Sequence, residues 1–303
     1  MDIKTLQAKI IELKKEKNAV LLVHNYQRPE IQEIADFLGD SLDLSRRAKE
    51  TDADIIVFAG VTFMAETAKI LSPEKKVLMP EPEARCPMAE MVDADSLRKL
   101  KEQHPDAMVV AYVNTNAEIK AMADVCVTSS NAVKVIRKLP AKKIIFVPDK
   151  NLASYVATYV KEKEIIPWDG YCYVHDAFTE DDVFEAKEKY KNSVIIAHPE
   201  CREEVFLNAD YTDSTQGMIK LAKILNAESF VFFTEEGLTE RAKREMPDKK
   251  FYYPPRKAIC TQMKKITLES IYNSLLDEKY EVTLDADIIE KASRALNKML
   301  ELS

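Results

Sequence analysis

Three short stretches of one kind decide the fold: LLVHNY at residues 21–26, VVAYVN at residues 109–114 and IIAHPE at residues 195–200. Each is an apolar run that ends in polar residues, which is typical of a buried strand in a parallel sheet. His24, Tyr112 and His198 follow these runs and lie 88 and 86 residues apart. The spacing indicates an internal repeat, which is the mark of a fold built from similar units.

Other residue types keep the same register. Twelve residues after each of the three positions stands an aspartate that is preceded by alanine: Asp36, Asp124 and Asp210. Seventeen residues after them stands a hydroxyl side chain: Ser41, Ser129 and Thr215. A phenylalanine also recurs, as Phe58, Phe146 and Phe232. Several matched columns over three copies favour true repetition over coincidence.

Short apolar runs alternate with helical patterns along the whole chain, which predicts βαβ units and parallel sheets covered by helices. We therefore predict an α/β protein of three α/β/α three-layer domains, related by a pseudo-threefold axis and each with a short parallel sheet. The predicted domains are residues 1–85 with 263–303, residues 86–172 and residues 173–262. The terminal helices should bury one apolar face each, with Ile3, Leu6, Ile10 and Leu13 in the first and Ile288, Ala292, Leu296 and Met299 in the last.

The composition excludes several classes of protein. The 303 residues include 44 basic and 51 acidic side chains, a net charge of −7, which argues against a nucleic-acid-binding protein. No apolar stretch is long enough to span a membrane, and the N-terminus is charged, so we predict a cytoplasmic protein. The five glycines form neither G-x-G-x-x-G nor a P-loop, which disfavours dinucleotide and nucleoside-triphosphate enzymes.

Three of the five cysteines follow the repeat. Cys86, Cys172 and Cys260 lie 62, 60 and 62 residues after His24, Tyr112 and His198, whereas Cys126 and Cys201 fall outside the pattern and are predicted to be structural. Three converging thiolates suit zinc or an iron–sulfur cluster. Structural zinc sites use paired cysteines and four protein ligands, which are absent here. A four-iron cluster on three thiolates leaves one iron open as a Lewis acid, and a catalytic zinc with three sulfurs remains the alternative.

Polar side chains follow the predicted strands, at the edge where open α/β sheets bind ligands. His24, His198 and Glu200 are candidates for proton transfer, although any one of them alone could equally be structural. The Ser41, Ser129 and Thr215 hydroxyls precede predicted helices and could either cap them or bind a carboxylate or phosphate. His175 lies close to Cys172 in the sequence and could orient this cysteine without itself binding the metal.

An ordered set of motifs covers residues from about 20 to 270 and resembles the A-type quinolinate synthases, the iron–sulfur enzymes of de novo NAD biosynthesis. The matching segments are HNYQ at 24–27, GDS at 39–41, FMAE at 63–66, CPMA at 86–89, YVN at 112–114, SSNAV at 129–133, PDKNL at 148–152, HPEC at 198–201, ST at 214–215 and MK at 263–264. No single tripeptide is specific, but the ordered set is.

The resemblance implies three domains around one central active site that condenses iminoaspartate (iminosuccinate) with dihydroxyacetone phosphate to quinolinate, phosphate and water. It implies a [4Fe-4S] cluster held by Cys86, Cys172 and Cys260. It implies substrate contacts by His24, Ser41, Tyr112, Val113, Asn114, Ser129, His198, Pro199, Glu200 and Thr215, and catalytic roles for Tyr26, His24, Glu200 and His198. The imine would be supplied by an aspartate-oxidising enzyme, and neither a nucleic acid nor a membrane is an expected partner.

Two other functions stay open at this point. One keeps the cluster but changes the reaction to that of another hydro-lyase acting on a small dicarboxylate. The other is a non-catalytic sensor that responds to oxygen or a metabolite through the cluster. The sensor lacks the basic DNA-binding element expected of a regulator, which counts against it.

Overall fold

A computed structural model describes residues 1–303 and contains three parallel four-stranded sheets, which confirms the predicted α/β class. The strand orders are β2-β1-β3-β4, β6-β5-β7-β8 and β10-β9-β11-β12, so every sheet has the same topology. The strands are β1 (Ala19–His24), β2 (Phe37–Gly39), β3 (Ile55–Ala59), β4 (Lys76–Leu78), β5 (Met108–Tyr112), β6 (Val125–Val127), β7 (Lys143–Val147), β8 (Glu164–Pro167), β9 (Val194–Ala197), β10 (Tyr211–Thr212), β11 (Ser229–Phe233) and β12 (Lys250–Tyr252). Each sheet with its helices is called the first, second or third unit below.

Helices connect the strands, as parallel pairing requires. They are α1 (Ile3–Glu16), α2 (Pro29–Gln32), α3 (Ser41–Glu50), α4 (Thr62–Leu71), α5 (Ala94–Gln103), α6 (Ala117–Met122), α7 (Ala132–Lys138), α8 (Lys150–Tyr159), α9 (Glu180–Lys189), α10 (Glu203–Asn208), α11 (Thr215–Ile224), α12 (Glu236–Glu245), α13 (Leu268–Asp277) and α14 (Ala286–Leu302). Short 3-10 turns span Met88–Met91 and Met263–Lys265.

The repeated aspartate is a structural residue. In each unit its carboxylate accepts a hydrogen bond of 2.7 Å from a backbone N–H of the central strand, and its own N–H donates back to the same residue. The pairs are Asp36 with Leu21, Asp124 with Val109 and Asp210 with Ile195. This double contact ties the start of the edge strand to the central strand, which explains the column without any catalytic role.

The terminal helices bury most of the predicted faces, although Leu13 and Ile288 are only half-buried and Ile3 is exposed. Leu6 and Ile10 of α1 and Leu296 of α14 are buried, but Ile3 is 54% exposed because it occupies the first, unpacked turn of α1. Helix α1 packs against α13 and β1, whereas α14 packs on α6 and β6 of the second unit as well as on α4 of the first. The domain boundaries of the sequence analysis remain a prediction.

The three units do not share their cores equally. One hydrophobic core of 62 buried residues runs through the first two units and the terminal helices, whereas the third unit has two separate clusters of 12 and 9 residues. Polar contacts therefore carry much of the junction between the third unit and the first. Examples are Asn25 with Thr215, Asp40 with Ser214, and Arg241 with Asn25. No helix of the protein combines the length and the apolar character needed to cross a membrane.

Candidate active site

The carboxyl ends of the central strands face one cavity that receives side chains from all three units. Twelve of the predicted site residues line it: His24, Tyr26, Ser41, Cys86, Tyr112, Asn114, Ser129, Cys172, His198, Glu200, Thr215 and Cys260. Val113 and Pro199 are buried in the same loops but do not line the cavity. The pseudo-threefold repeat therefore brings together residues that are up to 236 positions apart in the sequence.

The cysteine loops are anchored by one equivalent hydrogen bond in each unit. The first residue of the helix after the third strand donates its free N–H to the carbonyl two residues before the cysteine, at 2.8 to 3.0 Å. The bonds run from Thr62 to Ala84, from Lys150 to Gly170 and from Glu236 to Ala258. This shared anchor places Cys86, Cys172 and Cys260 at equivalent positions, which is the structural reason for their register.

Each of these three sulfurs faces backbone N–H groups of the turn that follows it. The N–H groups of Ala89 and Met88 act to lower the pKa of Cys86, that of His175 acts to lower the pKa of Cys172, and those of Met263 and Gln262 act to lower the pKa of Cys260. Burial in the cavity wall raises the pKa of Cys86 to about 12 and raises the pKa of Cys172 and of Cys260. Neighbouring cysteines contribute to the raised pKa of Cys86 and of Cys172.

The other two cysteines lie away from the cavity. Cys126 is fully buried in β6, and Cys201 is fully buried with its thiol donating to the carbonyl of Phe233 at 3.5 Å. Both sit within hydrophobic cores. Their positions are those of packed structural cysteines.

Glu200 is the centre of a buried polar cluster. The Tyr112 hydroxyl donates to its Oε1 at 2.5 Å, and Nδ1 of His175 lies 2.8 Å from its Oε2. The His198 ring stacks on His175 with a centroid distance of 4.5 Å. Burial by itself raises the pKa of Glu200, but His175 and the hydrogen bonds from His175 and Tyr112 outweigh it, so the pKa is lowered and the group is ionised near pH 7.

The histidines of the strand ends are neutral near pH 7. Burial lowers the pKa of His24 to about 3, and burial together with His175 lowers the pKa of His198 to about 3. Neutral imidazole can accept or donate a hydrogen bond at either ring nitrogen. His24 also packs edge-on against Tyr26, with 4.7 Å between ring centroids.

Tyr26 is held by two partners that point its hydroxyl into the cluster. Its OH lies 2.7 Å from Oγ1 of Thr234 and 3.4 Å from Nε2 of His175, and Thr234 in turn lies 2.9 Å from the same nitrogen. His175 thus connects Tyr26 with Glu200. The sequence predicts His175 near the site but not Thr234, although Thr234 lies in register with Gly60 and Pro148, one residue beyond the third strand of each unit.

The hydroxyl column does not cap its helices, which corrects that alternative. Asp40 caps α3 by accepting from the N–H groups of Leu42 and Asp43, and Ser214 caps α11. Ser41 and Thr215 are the first residues of those helices and line the cavity, and the Thr215 hydroxyl accepts from Nδ2 of Asn25 at 2.8 Å. Other residues cap the helices, and Ser41 and Thr215 lie at the cavity wall beside N-terminal dipoles that favour anions.

One group of ligand atoms is compact enough for a metal ion. The sulfur of Cys172, a ring nitrogen of His175 and a carboxylate oxygen of Glu200 lie within 4.8 Å of one another. Both ring nitrogens of His175 already contact protein partners, Glu200 on one side and Thr234 on the other. This engagement fits a histidine that orients its neighbours better than a primary metal ligand.

The chain is similar to known proteins along nearly its whole length. Residues 8–301 match the family model described as Quinolinate synthetase A protein. The chain is 53% identical over 293 residues to a quinolinate synthase of Alkaliphilus metalliredigens, covering 97% of both chains. It is 54% identical to one of Thermococcus onnurineus over the full length of both chains, and 50% identical to one of Aquifex aeolicus, covering 95% of that chain. The chain therefore belongs to the quinolinate synthetase A family.

Proposed function

We propose that the protein is a quinolinate synthase that condenses iminoaspartate with dihydroxyacetone phosphate, releasing phosphate and water. One observation carries the proposal: the single cavity joins three cysteines, one from each repeat, to the polar residues that follow the central strands. Both substrates are small anions, and two helix N-termini, those at Ser41 and Thr215, lie in the cavity wall. The imine would have to come from an enzyme that oxidises aspartate.

The donor set suits a [4Fe-4S] cluster bound by Cys86, Cys172 and Cys260. The three thiols line one cavity, each faces N–H groups that stabilise a thiolate, and the two remaining cysteines are packed elsewhere. Thiolates are the ordinary ligands of such clusters, and hydrogen bonds to the sulfurs are a usual feature of them. A bound cluster with three protein ligands supplies a Lewis acid at its fourth iron.

The residues of the chain supply binding and proton transfer. Ser41 and Thr215, each at the start of a helix, favour carboxylate or phosphate groups. Asn114 lines the cavity with a buried Oδ1 that has no hydrogen-bond partner, so it is available to accept from the N–H of an imine. An unpaired buried acceptor is costly in free energy, which a substrate donor would offset.

Condensation and dehydration require a base that removes protons and an acid that protonates the leaving oxygen. Glu200 is ionised and buried, so it is the candidate base. Tyr26 is the candidate acid, because Thr234 and His175 hold its hydroxyl, a proton donor, in place at the cavity wall. His24 and His198 complete the wall as neutral hydrogen-bonding groups.

The test is anaerobic purification followed by iron, sulfide and zinc analysis and an assay for quinolinate from the two substrates. We expect about four irons per chain, and quinolinate formation that is lost together with the iron in Cys86→Ala. Cys126→Ala is the matched control and should keep both. Stoichiometric zinc with no quinolinate in the wild type would refute the proposal, and turnover of a hydroxy acid instead would favour the hydro-lyase.

A further inference from the structure

A fully buried carboxylate, Glu235, joins the loop of the third cysteine to the rest of the protein. Glu235 follows Thr234 at the end of β11, caps α12 and is 0% exposed. Its Oε2 accepts from the N–H of Gly237 at 2.7 Å, and its Oε1 accepts from the N–H of Cys260 at 3.1 Å. One side chain thus fixes both a helix start and a predicted cluster-ligand loop that contains no regular secondary structure.

Lys264 pairs with this carboxylate and extends the connection to the first unit. Its Nζ lies 3.0 Å from Oε1 and 3.3 Å from Oε2 of Glu235, and it donates to the carbonyl of Tyr26 at 2.7 Å. The Lys264 side chain is only 15% exposed. A second contact joins the same two segments, because the Arg28 guanidinium donates to the carbonyl of Lys264 at 2.6 Å.

The loop of Tyr26 packs tightly on the same helix start. A Cβ on Gly237 would lie 2.9 Å from the carbonyl carbon of Tyr26 and 3.0 Å from the oxygen of Asn25, which leaves no room for a side chain. Tyr26 is therefore held at both ends: Lys264 contacts its carbonyl, and Thr234 contacts its hydroxyl. These contacts cross the junction between the third unit and the first, where no continuous hydrophobic core is shared.

We propose that the Glu235–Lys264 ion pair is a positioning device that holds the Cys260 loop and the Tyr26 loop in one geometry. Glu235 lines the cavity, and the pair acts through its contacts with the backbone of Cys260 and Tyr26. The role assigned to Cys260 and Tyr26 rests on the proposed function, whereas the pair itself does not. Removing one partner leaves the other as an uncompensated buried charge, so the two loops should loosen together.

The experiment uses Glu235→Gln, Lys264→Met and the double variant, with Lys265→Met as the control. Lys265 is the adjacent lysine and contacts only an exposed carbonyl, that of Glu83. For each single variant we expect kcat to fall about tenfold to hundredfold while KM changes less than about threefold, as expected when reacting groups are misplaced. Iron release to a chelator should be faster by about tenfold or more.

The double variant separates positioning from plain stability. With both charges removed, the unfolding midpoint and the rate of iron release should return toward the wild-type values, because no unpaired charge remains buried. The kcat should stay at the level of Lys264→Met, because the contact to the Tyr26 carbonyl is still missing. Lys265→Met should match the wild type in all three measurements.

Two results would overturn the positioning role: wild-type kcat in Lys264→Met, or recovery of kcat in the double variant together with stability. Additive losses of stability in the double variant would show that the two residues do not act as a pair. A wild type that forms no quinolinate would refute the proposed function instead, and the iron-release and unfolding measurements would still decide whether the pair exists.

Discussion

Replacing Asp40 by asparagine tests the electrostatics of the cavity wall. Asp40 is 7% exposed; its Oδ1 accepts from the N–H groups of Leu42 and Asp43, each at 3.0 Å, and its Oδ2 accepts from Ser214 at 3.3 Å. An asparagine keeps the capping oxygen and can donate to Ser214 through its amide. The substitution therefore removes the charge and keeps the hydrogen-bond geometry.

Burial raises the pKa of Asp40 from 3.8 to about 6, with the capping hydrogen bonds acting in the opposite direction. Between these two values the folded protein holds a proton that the unfolded chain has released. The free energy of unfolding therefore falls as the pH rises through this window and stays lower above it. The rise of the Asp40 pKa from 3.8 to about 6 corresponds to about 3 kcal/mol. The free energy of unfolding of the wild type should therefore fall by up to about 3 kcal/mol between pH 4 and pH 7 because of Asp40.

Asparagine does not titrate, so Asp40→Asn should not lose stability in this way as the pH rises. We expect it to be more stable than the wild type at pH 7.5, with a melting temperature higher by about 4 °C for a chain of this size. The advantage should shrink steadily toward pH 4.5. Anaerobic thermal unfolding at pH 4.5, 6.0 and 7.5 measures it, with exposed Asp52→Asn as the matched control. An advantage that does not change with pH, or a variant that is less stable at pH 7.5, would refute the reasoning.

Two further substitutions test the site. Tyr26→Phe removes the hydroxyl that contacts Thr234, and steady-state kinetics should show kcat lower by about 10²-fold or more with unchanged iron content; unchanged kcat would exclude Tyr26 as the acid. Gly170→Ala would place a Cβ 2.4 Å from the carbonyl oxygen of Pro148, so the loop leading to Cys172 must shift. We expect a lower melting temperature and less bound iron, and a variant with wild-type values for both would contradict this account of the anchor.

Much of the fold follows from residues that recur at a fixed spacing. The apolar runs predict the three central strands, and the aspartate, hydroxyl and cysteine columns predict equivalent places in three equivalent units. This works because each unit is local: a strand, its connecting helix and its neighbouring strand lie within about 40 residues, where period and spacing carry the information. The grouping of Cys86, Cys172 and Cys260 needed only the repeat and its symmetry.

The contacts between units could not be found in this way. Lys264 donates to the carbonyl of Tyr26, which lies 238 positions away in the sequence. The repeat does not predict the ion pair that Lys264 forms with Glu235. The hydroxyls of Ser41 and Thr215 could have been helix caps, and only the backbone geometry shows that Asp40 and Ser214 take that role.

The sequence by itself thus determined the three repeated units and the residues that each one presents at its strand ends, because these depend on short-range patterns. The tertiary structure alone decided how the units meet. It determines which buried carboxylate is ionised, which hydroxyl-bearing residues line the cavity and which loops are in contact. These properties depend on burial and charge pairing, which arise only when distant segments pack together.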